Sequence, residues 1–326
     1  MKIPKSIRNI YDDQYETNLK LKELADKKIV SFKEDRWHYE SRVKSAESFA
    51  LKVETGRISD PSKLEDFFAC TLVVENKGAI RKAEGLIKNL FKLSARRPPS
   101  EKKTLKASNT FPFDDLRLYV KWRDDTTLPP TGLSGTLFEV QVKTFLQHAW
   151  IIATHDLIYK SDNISWAKER IAYQIKAMLE HAEISIHEAE KLATSPELDK
   201  LDKYTDRRLE IIKLVKESWS QVDLPGNVVL LADTIITLMK SVEIDVATLR
   251  KILVDETKKG RGTKTLNLSP YGIVIQSLIN RKPEKLLEYL SSDSGSFRIL
   301  IPQEIELPDN VGRSSLKNAI FVEKRG

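Results

Sequence analysis

Phe67-Phe68-Ala69-Cys70-Thr71-Leu72-Val73-Val74 is continuously apolar and rich in β-branched and aromatic residues. Such a run predicts a strand buried on both faces. Ser62-Lys63-Leu64-Glu65, just before it, has capping-box spacing, but the residues that follow decide for a strand. Two later stretches alternate instead. In 116–122, Leu116, Leu118, Val120 and Trp122 face one way, and Arg117, Tyr119 and Lys121 the other. In 138–143, Phe138, Val140 and Val142 oppose Glu139, Gln141 and Lys143. Period-two alternation therefore sets a carboxylate, an amide and an ammonium in one row on one sheet face. The wetted face of an antiparallel sheet gives the same row, so the pattern alone leaves both readings open. Asp124 to Gly135, with Pro129-Pro130 and two glycines, reads as a hairpin-like connection between these strands.

Helical patterns surround the strands: 6–29, 45–54, Gly78–Phe91, Phe145–Lys160 and Trp166–Leu192, the last with Ile171, Ile175, Leu179, Ala182 and Ile186 as its expected core stripe. Pro98-Pro99 and the Ser/Lys-rich residues to Thr110 read as a loop. Beyond Ser195-Pro196 helices are expected near 203–219, 227–241, 246–257 and 272–290, with a basic loop at 258–264 and a short extended tail from Phe297. The division expected is an N-terminal helix (1–29), an α+β domain (30–195) and a mainly helical C-terminal domain (200–326).

Composition narrows the class. The chain has 326 residues, 40% hydrophobic and 31% charged, with 12 Gly and 13 Pro, which excludes disordered and collagen-like chains. No apolar run approaches the ~20 residues of a membrane span. No apolar signal core follows Met1, so the expectation is a cytoplasmic protein with no membrane partner. The single cysteine, Cys70, excludes an intrachain disulfide framework and a cysteine-based zinc site, and is read as a small packed residue. Between Arg81 and Lys106 nine basic residues face two acidic ones, an excess equal to the net charge of +7. That excess suits nucleotide phosphates or RNA, and equally a solvated helix face followed by a loop.

Three segments, in order, carry residues suited to handling nucleotides. Ser45, Ser48 and Lys52 fall on one face of the expected helix, with Arg42 and Lys44 at its entrance, a ready polyphosphate site. Asp66 stands at the mouth of the buried strand. Glu139 lies on the polar face of the later strand. If those strands are neighbours, Asp66 and Glu139 could share one Mg²⁺, which takes one or two carboxylates plus substrate phosphates.

Arg42-x-Lys44-Ser45-x-x-Ser48-x-x-x-Lys52, Asp66 before an apolar strand, Glu139-x-Gln141-x-Lys143-Thr144-x-x-x-His148 and His155-Asp156-Leu157-x-Tyr159-Lys160 together resemble the RelA/SpoT synthetase domain over about 30–192. Those alarmone synthetases move the pyrophosphate of ATP to the 3′-hydroxyl of a guanosine nucleotide. The resemblance implies a mixed sheet flanked by helices, similar to nucleotidyltransferases. It implies ATP-phosphate contacts at Arg42, Lys44, Ser48 and Lys52, magnesium at Asp66 and Glu139, and activation of the attacking hydroxyl by Glu139. Phe113, Arg117, Gln141, Lys143 and His148 are the expected acceptor-side residues. The function implied is a (p)ppGpp synthetase (GTP/GDP pyrophosphokinase) of stress signalling, with ATP and a guanosine nucleotide as partners and self-association left open. The alternatives are pyrophosphorylation of the tRNA 3′ end and a catalytically silent nucleotide- or RNA-binding module.

The chain departs from the family where the acceptor is chosen. The usual Gly-Tyr-x-Ser-x-His segment, whose tyrosine stacks on the acceptor base, is here Pro112-Phe113-Asp114-Asp115-Leu116-Arg117. Phe113 keeps a stacking face without the hydroxyl. Thr71 stands where an arginine is common. His148 and His155 are seven residues apart, beyond the i,i+4 spacing of a helical metal pair, and are read as orienting or packing groups.

Overall fold

The computed structural model describes the chain except residues 57, 59, 101–102, 105–114, 125–128, 159–164, 201, 261–266, 294–296 and 323–326, and only the backbone of 155–158. Phe113, most of the 98–110 loop, the side chains of His155 and Asp156, and most of the 258–264 loop lie outside the described residues. The chain divides into two compact units, Met1–Leu198 and Asp199–Gly326.

The N-terminal unit is built on a five-stranded mixed sheet in the order β1-β2-β5-β4-β3. Its strands are β1 (His38–Val43), β2 (Phe68–Val74), β3 (Lys92–Arg97), β4 (Leu116–Lys121) and β5 (Leu137–Thr144). β2 and β5 run parallel, and the other neighbours are antiparallel. The apolar run at 67–74 is thus the sheet's interior strand, as its continuous hydrophobicity requires. The two alternating segments are β5, its parallel neighbour, and β4 beyond it, paired as a hairpin in which Gly132 and Gly135 turn the chain at φ 77° and 83°.

One face of the sheet carries Phe68, Cys70 and Leu72, Leu118 and Val120, and Phe138, Val140 and Val142, all buried. Two helices cover it. α1 (Lys5–Phe32) presents Leu21, Ala25 and Ile29 at four-residue spacing, and α3 (Lys77–Leu90) presents Ala83, Ile87 and Leu90. Asn76 caps α3, its side chain accepting from Gly78 N at 2.9 Å. A smaller cluster of Tyr11, Phe49, Leu64 and Phe67 fixes α2 (Ala46–Glu54) beside the start of β2.

β1 and β3 have no counterpart in the sequence reading. Both are edge strands, and five of the six residues of β3 are exposed, so they lack the apolar signal of a half-buried strand. Arg42 accordingly belongs to β1 and not to the entrance of a helix.

β5 leads directly into α4 (Phe145–Ile158), which is followed by α5 (Trp166–His187) and the short α6 (Ala189–Ala193). α5 corrects the expected stripe. Ile171, Ile175 and Ile186 are 55%, 44% and 53% exposed, while Ala172, Lys176 and Glu183 are buried. The inward face is fixed by specific partners rather than by hydrophobicity. Trp150 Nε1 donates to Ala172 O at 2.9 Å, the Lys176 ammonium lies 4.1 Å from the Trp150 ring centroid, and Glu183 accepts from Thr144 Oγ1.

The C-terminal unit packs α7 (Lys203–Ser218), α8 (Val228–Ser241), α9 (Val246–Lys258), α10 (Pro270–Arg281) and α11 (Pro283–Ser291) around Trp219, Ile235, Leu249, Val274 and Leu286. The single helix expected at 272–290 is two helices, because Pro283 lacks the N–H that would continue α10 and instead begins α11. The tail forms a parallel pair, β6 (Ile299–Ile301) and β7 (Ala319–Phe321). Among the described residues no helix is long and apolar enough to cross a membrane.

Candidate active site

The second face of the N-terminal sheet is polar. Cross-strand register aligns Arg42 of β1 with Ala69 of β2, Ala69 with Glu139 of β5, and Glu139 with Tyr119 of β4. The next row is Glu40, Thr71, Gln141 and Arg117. Residues directly opposite share a face, so every second residue of four strands points the same way. Small Ala69 and Thr71 on β2 leave room between the longer polar side chains of β1 and β5.

Two adjoining hollows result. A cleft of ≈ 600 Å³ is lined by Lys52, Asp66, Arg97, Arg117, Tyr119 and Glu139, among others. A groove of ≈ 370 Å³ is lined by Glu40, Arg42, Ala69, Thr71, Gln141 and Lys143, with Ile151 and Ile152 of α4. Gln141 joins the two, since its Nε2 donates to Glu139 Oε1.

Asp66 is the electrostatic centre of the cleft. Its Oδ2 accepts from Lys52 Nζ at 2.8 Å and lies 3.1 Å from Lys44 Nζ. Its other oxygen, Oδ1, is buried without a hydrogen-bond partner. Burial alone would raise the Asp66 carboxyl, but the bond from Lys52 and the charge of Lys44 outweigh it and hold the group below the usual carboxylate range. Lys44 is held in place through its backbone, whose carbonyl accepts from Tyr11 OH at 3.0 Å.

Glu139 is 4% exposed and is gripped from both sides. Besides Gln141, the Tyr119 hydroxyl bonds to it. Burial and the neighbouring carboxylate push the Tyr119 phenol up to about 12, so it remains a donor at neutral pH. Arg97 then stacks its guanidinium 4.7 Å from the Tyr119 ring centroid and donates to the Tyr119 oxygen at 3.3 Å. Lys143 is buried in the groove 4.0 Å from Asp115, and desolvation lowers its ammonium pKa despite that partner.

Of the sequence-expected residues, Lys52, Asp66, Arg117 and Glu139 meet in the cleft, and Lys44 reaches it through Asp66. Arg42, Gln141 and Lys143 line the groove. Ser48 is exposed on the first turn of α2, where Ser45 caps the helix and donates to the Ser48 hydroxyl at 2.9 Å. His148, on α4, sits 4.0 Å from Glu40. Sequence reasoning passed over Tyr119, Arg97 and Glu40. Tyr119 was legible as an outward residue of β4, whereas the other two lie on the unrecognised edge strands. Much of the basic excess is already matched by acids: Lys82 pairs with Glu34, Lys88 and Arg96 with Glu84, and Arg97 with Glu65.

The donor set also suits a magnesium ion. Asp66 has an unpartnered buried oxygen, and a second carboxylate lines the same cleft, offering hard oxygen ligands beside cations that would meet phosphates.

A mixed sheet with one helix-covered face and one charged, cleft-bearing face defines the N-terminal unit as an α+β domain. Residues 41–164 match the family model described as the region found in RelA / SpoT proteins. Among solved structures, the chain is similar to small alarmone synthetase 1 from Bacillus subtilis bound to its product pppGpp (17% identity, 57% of this chain and 95% of that one, TM-score 0.39). It is also similar to small alarmone synthetase 2 from Bacillus subtilis (15%, 54% and 96%, TM-score 0.41) and to a GTP pyrophosphokinase family protein from Streptococcus pneumoniae (20%, 58% and 96%, TM-score 0.35). No curated protein gives a significant match to the sequence.

Proposed function

We propose that the N-terminal unit is an ATP-dependent 3′-pyrophosphotransferase, and that its acceptor is a guanosine nucleotide, making the product a (p)ppGpp-type alarmone. The observation that carries this reading is the pairing of Asp66 and Glu139 in one cleft ringed by Lys52, Arg97 and Arg117. A module that only bound phosphates would be weakened by two carboxylates there. A transferase uses them, because phosphoryl-type transfer depends on positioning and charge neutralisation more than on covalent chemistry by the protein.

In this reading the acceptor 3′-oxygen attacks the β-phosphorus of ATP. The bond from that phosphorus to the α–β bridging oxygen breaks, and AMP leaves. The hydroxyl proton passes to the Glu139 carboxylate, which Tyr119 and Gln141 hold in one orientation. Lys44 and Lys52 exchange Asp66 for the triphosphate as ATP enters, with Arg42 contributing from β1. Asp66 and Glu139 are the residues that would hold magnesium, which supplies neutralisation of the pyrophosphoryl charge when bound. Arg117 and Lys143 serve the acceptor side.

Incubation with γ-labelled ATP and Mg²⁺, separately with GDP, GTP, ATP and tRNA, tests the reading. Label transferred to GDP or GTP and lost in Asp66→Ala supports it. Transfer to tRNA alone replaces the guanosine acceptor with an RNA end, and no transfer to any acceptor overturns the enzyme.

A further inference from the structure

A second cluster lies on the same sheet face, beside the groove that Glu40 lines with Arg42, Gln141 and Lys143 and outside the Asp66 and Glu139 cleft. Alternation along β1 sets His38 and Glu40 on one side of the strand, both exposed. α4 begins where β5 ends, and its fourth residue, His148, comes over β1. His148 is 8% exposed, and its buried Nδ1 has no hydrogen-bond partner and lies 4.0 Å from Glu40 Oε1. The His38 and His148 rings are 5.5 Å apart between centroids. One ligand atom from each of the three residues falls within 4.8 Å of the others.

We propose that His38, Glu40 and His148 form a binding site for a divalent transition metal, with Zn²⁺ the best fit, that ties the first turn of α4 to β1. Two imidazole nitrogens and one carboxylate oxygen are the donors that borderline metals choose, and three such ligands leave a position for water. Mg²⁺ and Ca²⁺ prefer oxygen-only sets, so this site differs in kind from the Asp66 and Glu139 pair. In tetrahedral zinc the ligand atoms stand roughly 3.3 Å apart, given bonds near 2.0–2.1 Å. The three groups must therefore close by at most about 1.5 Å. Exposed His38 and Glu40 can rotate to do so, whereas buried His148 is already fixed. Burial lowers the His148 pKa.

The test is calorimetric titration of tag-free, chelator-stripped protein with Zn²⁺ alone, paired with visible absorption of the Co²⁺-loaded form. One equivalent should bind, with the intense cobalt bands of a four-coordinate site. His38→Ala and Glu40→Gln should each weaken binding at least tenfold; both residues are exposed, so loss of folding does not confuse the result. No zinc binding by the wild type, or unchanged binding in both variants, overturns the site.

Discussion

The two faces of the N-terminal sheet are made by alternate residues of the same strands, yet they answer to different physics. One face buries Phe68, Leu72, Phe138 and Val140 under α1 and α3, where burial and close packing supply stability. The other sets Tyr119, Glu139, Gln141 and Lys143 among charges and hydrogen bonds, with little apolar burial to gain. A one-residue step along β5 therefore separates a residue that holds the fold from one proposed to do chemistry. Substitutions on the two faces should fail in different assays.

The sharpest separation compares neighbours on β5. Glu139→Gln preserves shape but removes the proton acceptor, and should lower pyrophosphate transfer roughly 10²–10⁴-fold. Its urea midpoint should move far less than that of Phe138→Ala. Phe138 is fully buried against Phe68 at 5.2 Å and Phe91 at 5.1 Å between ring centroids. Its truncation should cost ~3–5 kcal/mol, read by urea denaturation. Equal loss of stability in the two variants would erase the distinction between the faces.

A smaller effect belongs to Lys52. Charge-assisted contacts are worth ~1.5–3 kcal/mol, so Lys52→Ala should weaken ATP binding by about tenfold or more, measured by calorimetry with a non-hydrolysable analogue. Undiminished affinity would move the triphosphate out of the cleft.

The sequence disclosed the two faces unevenly. β2, β4 and β5 were legible because the first is apolar throughout and the other two alternate. β1 and β3 were not, because polar edge strands look like loops to a hydrophobicity pattern. Asp66 and Glu139 could be paired only on the supposition that β2 and β5 are neighbours, a pairing across 70 positions of chain that no local pattern encodes. The outward isoleucines of α5 mislead for a related reason. Its inward face is chosen by Trp150, Thr144 and Gln147 on other elements, which receive Lys176 and Glu183.

The weakest expected effect tests whether charge governs the polar face. Asp66 has a folded pKa below its ordinary value of 3.8, owing to Lys52 and Lys44 against the opposing effect of burial. A depressed carboxylate contributes stability that is fully present above the unfolded pKa, near 4, and lost as pH falls through the folded value. Protonated Asp66 resembles asparagine, so wild type should exceed Asp66→Asn in stability at pH 7, with the gap closing only below about pH 4. Lys52 is 40% exposed, and solvent screening should keep that gap to ~1 kcal/mol or less, shrinking further with salt. The deficit of Phe138→Ala arises from lost volume and carries no charge, so it should stay constant over the same range. Urea titrations of the three proteins at pH 7, 4 and 3 check both halves. An Asp66→Asn gap that ignores pH would mean that the lysines hold the carboxylate by geometry alone, and the electrostatic account of the cleft would fall with it.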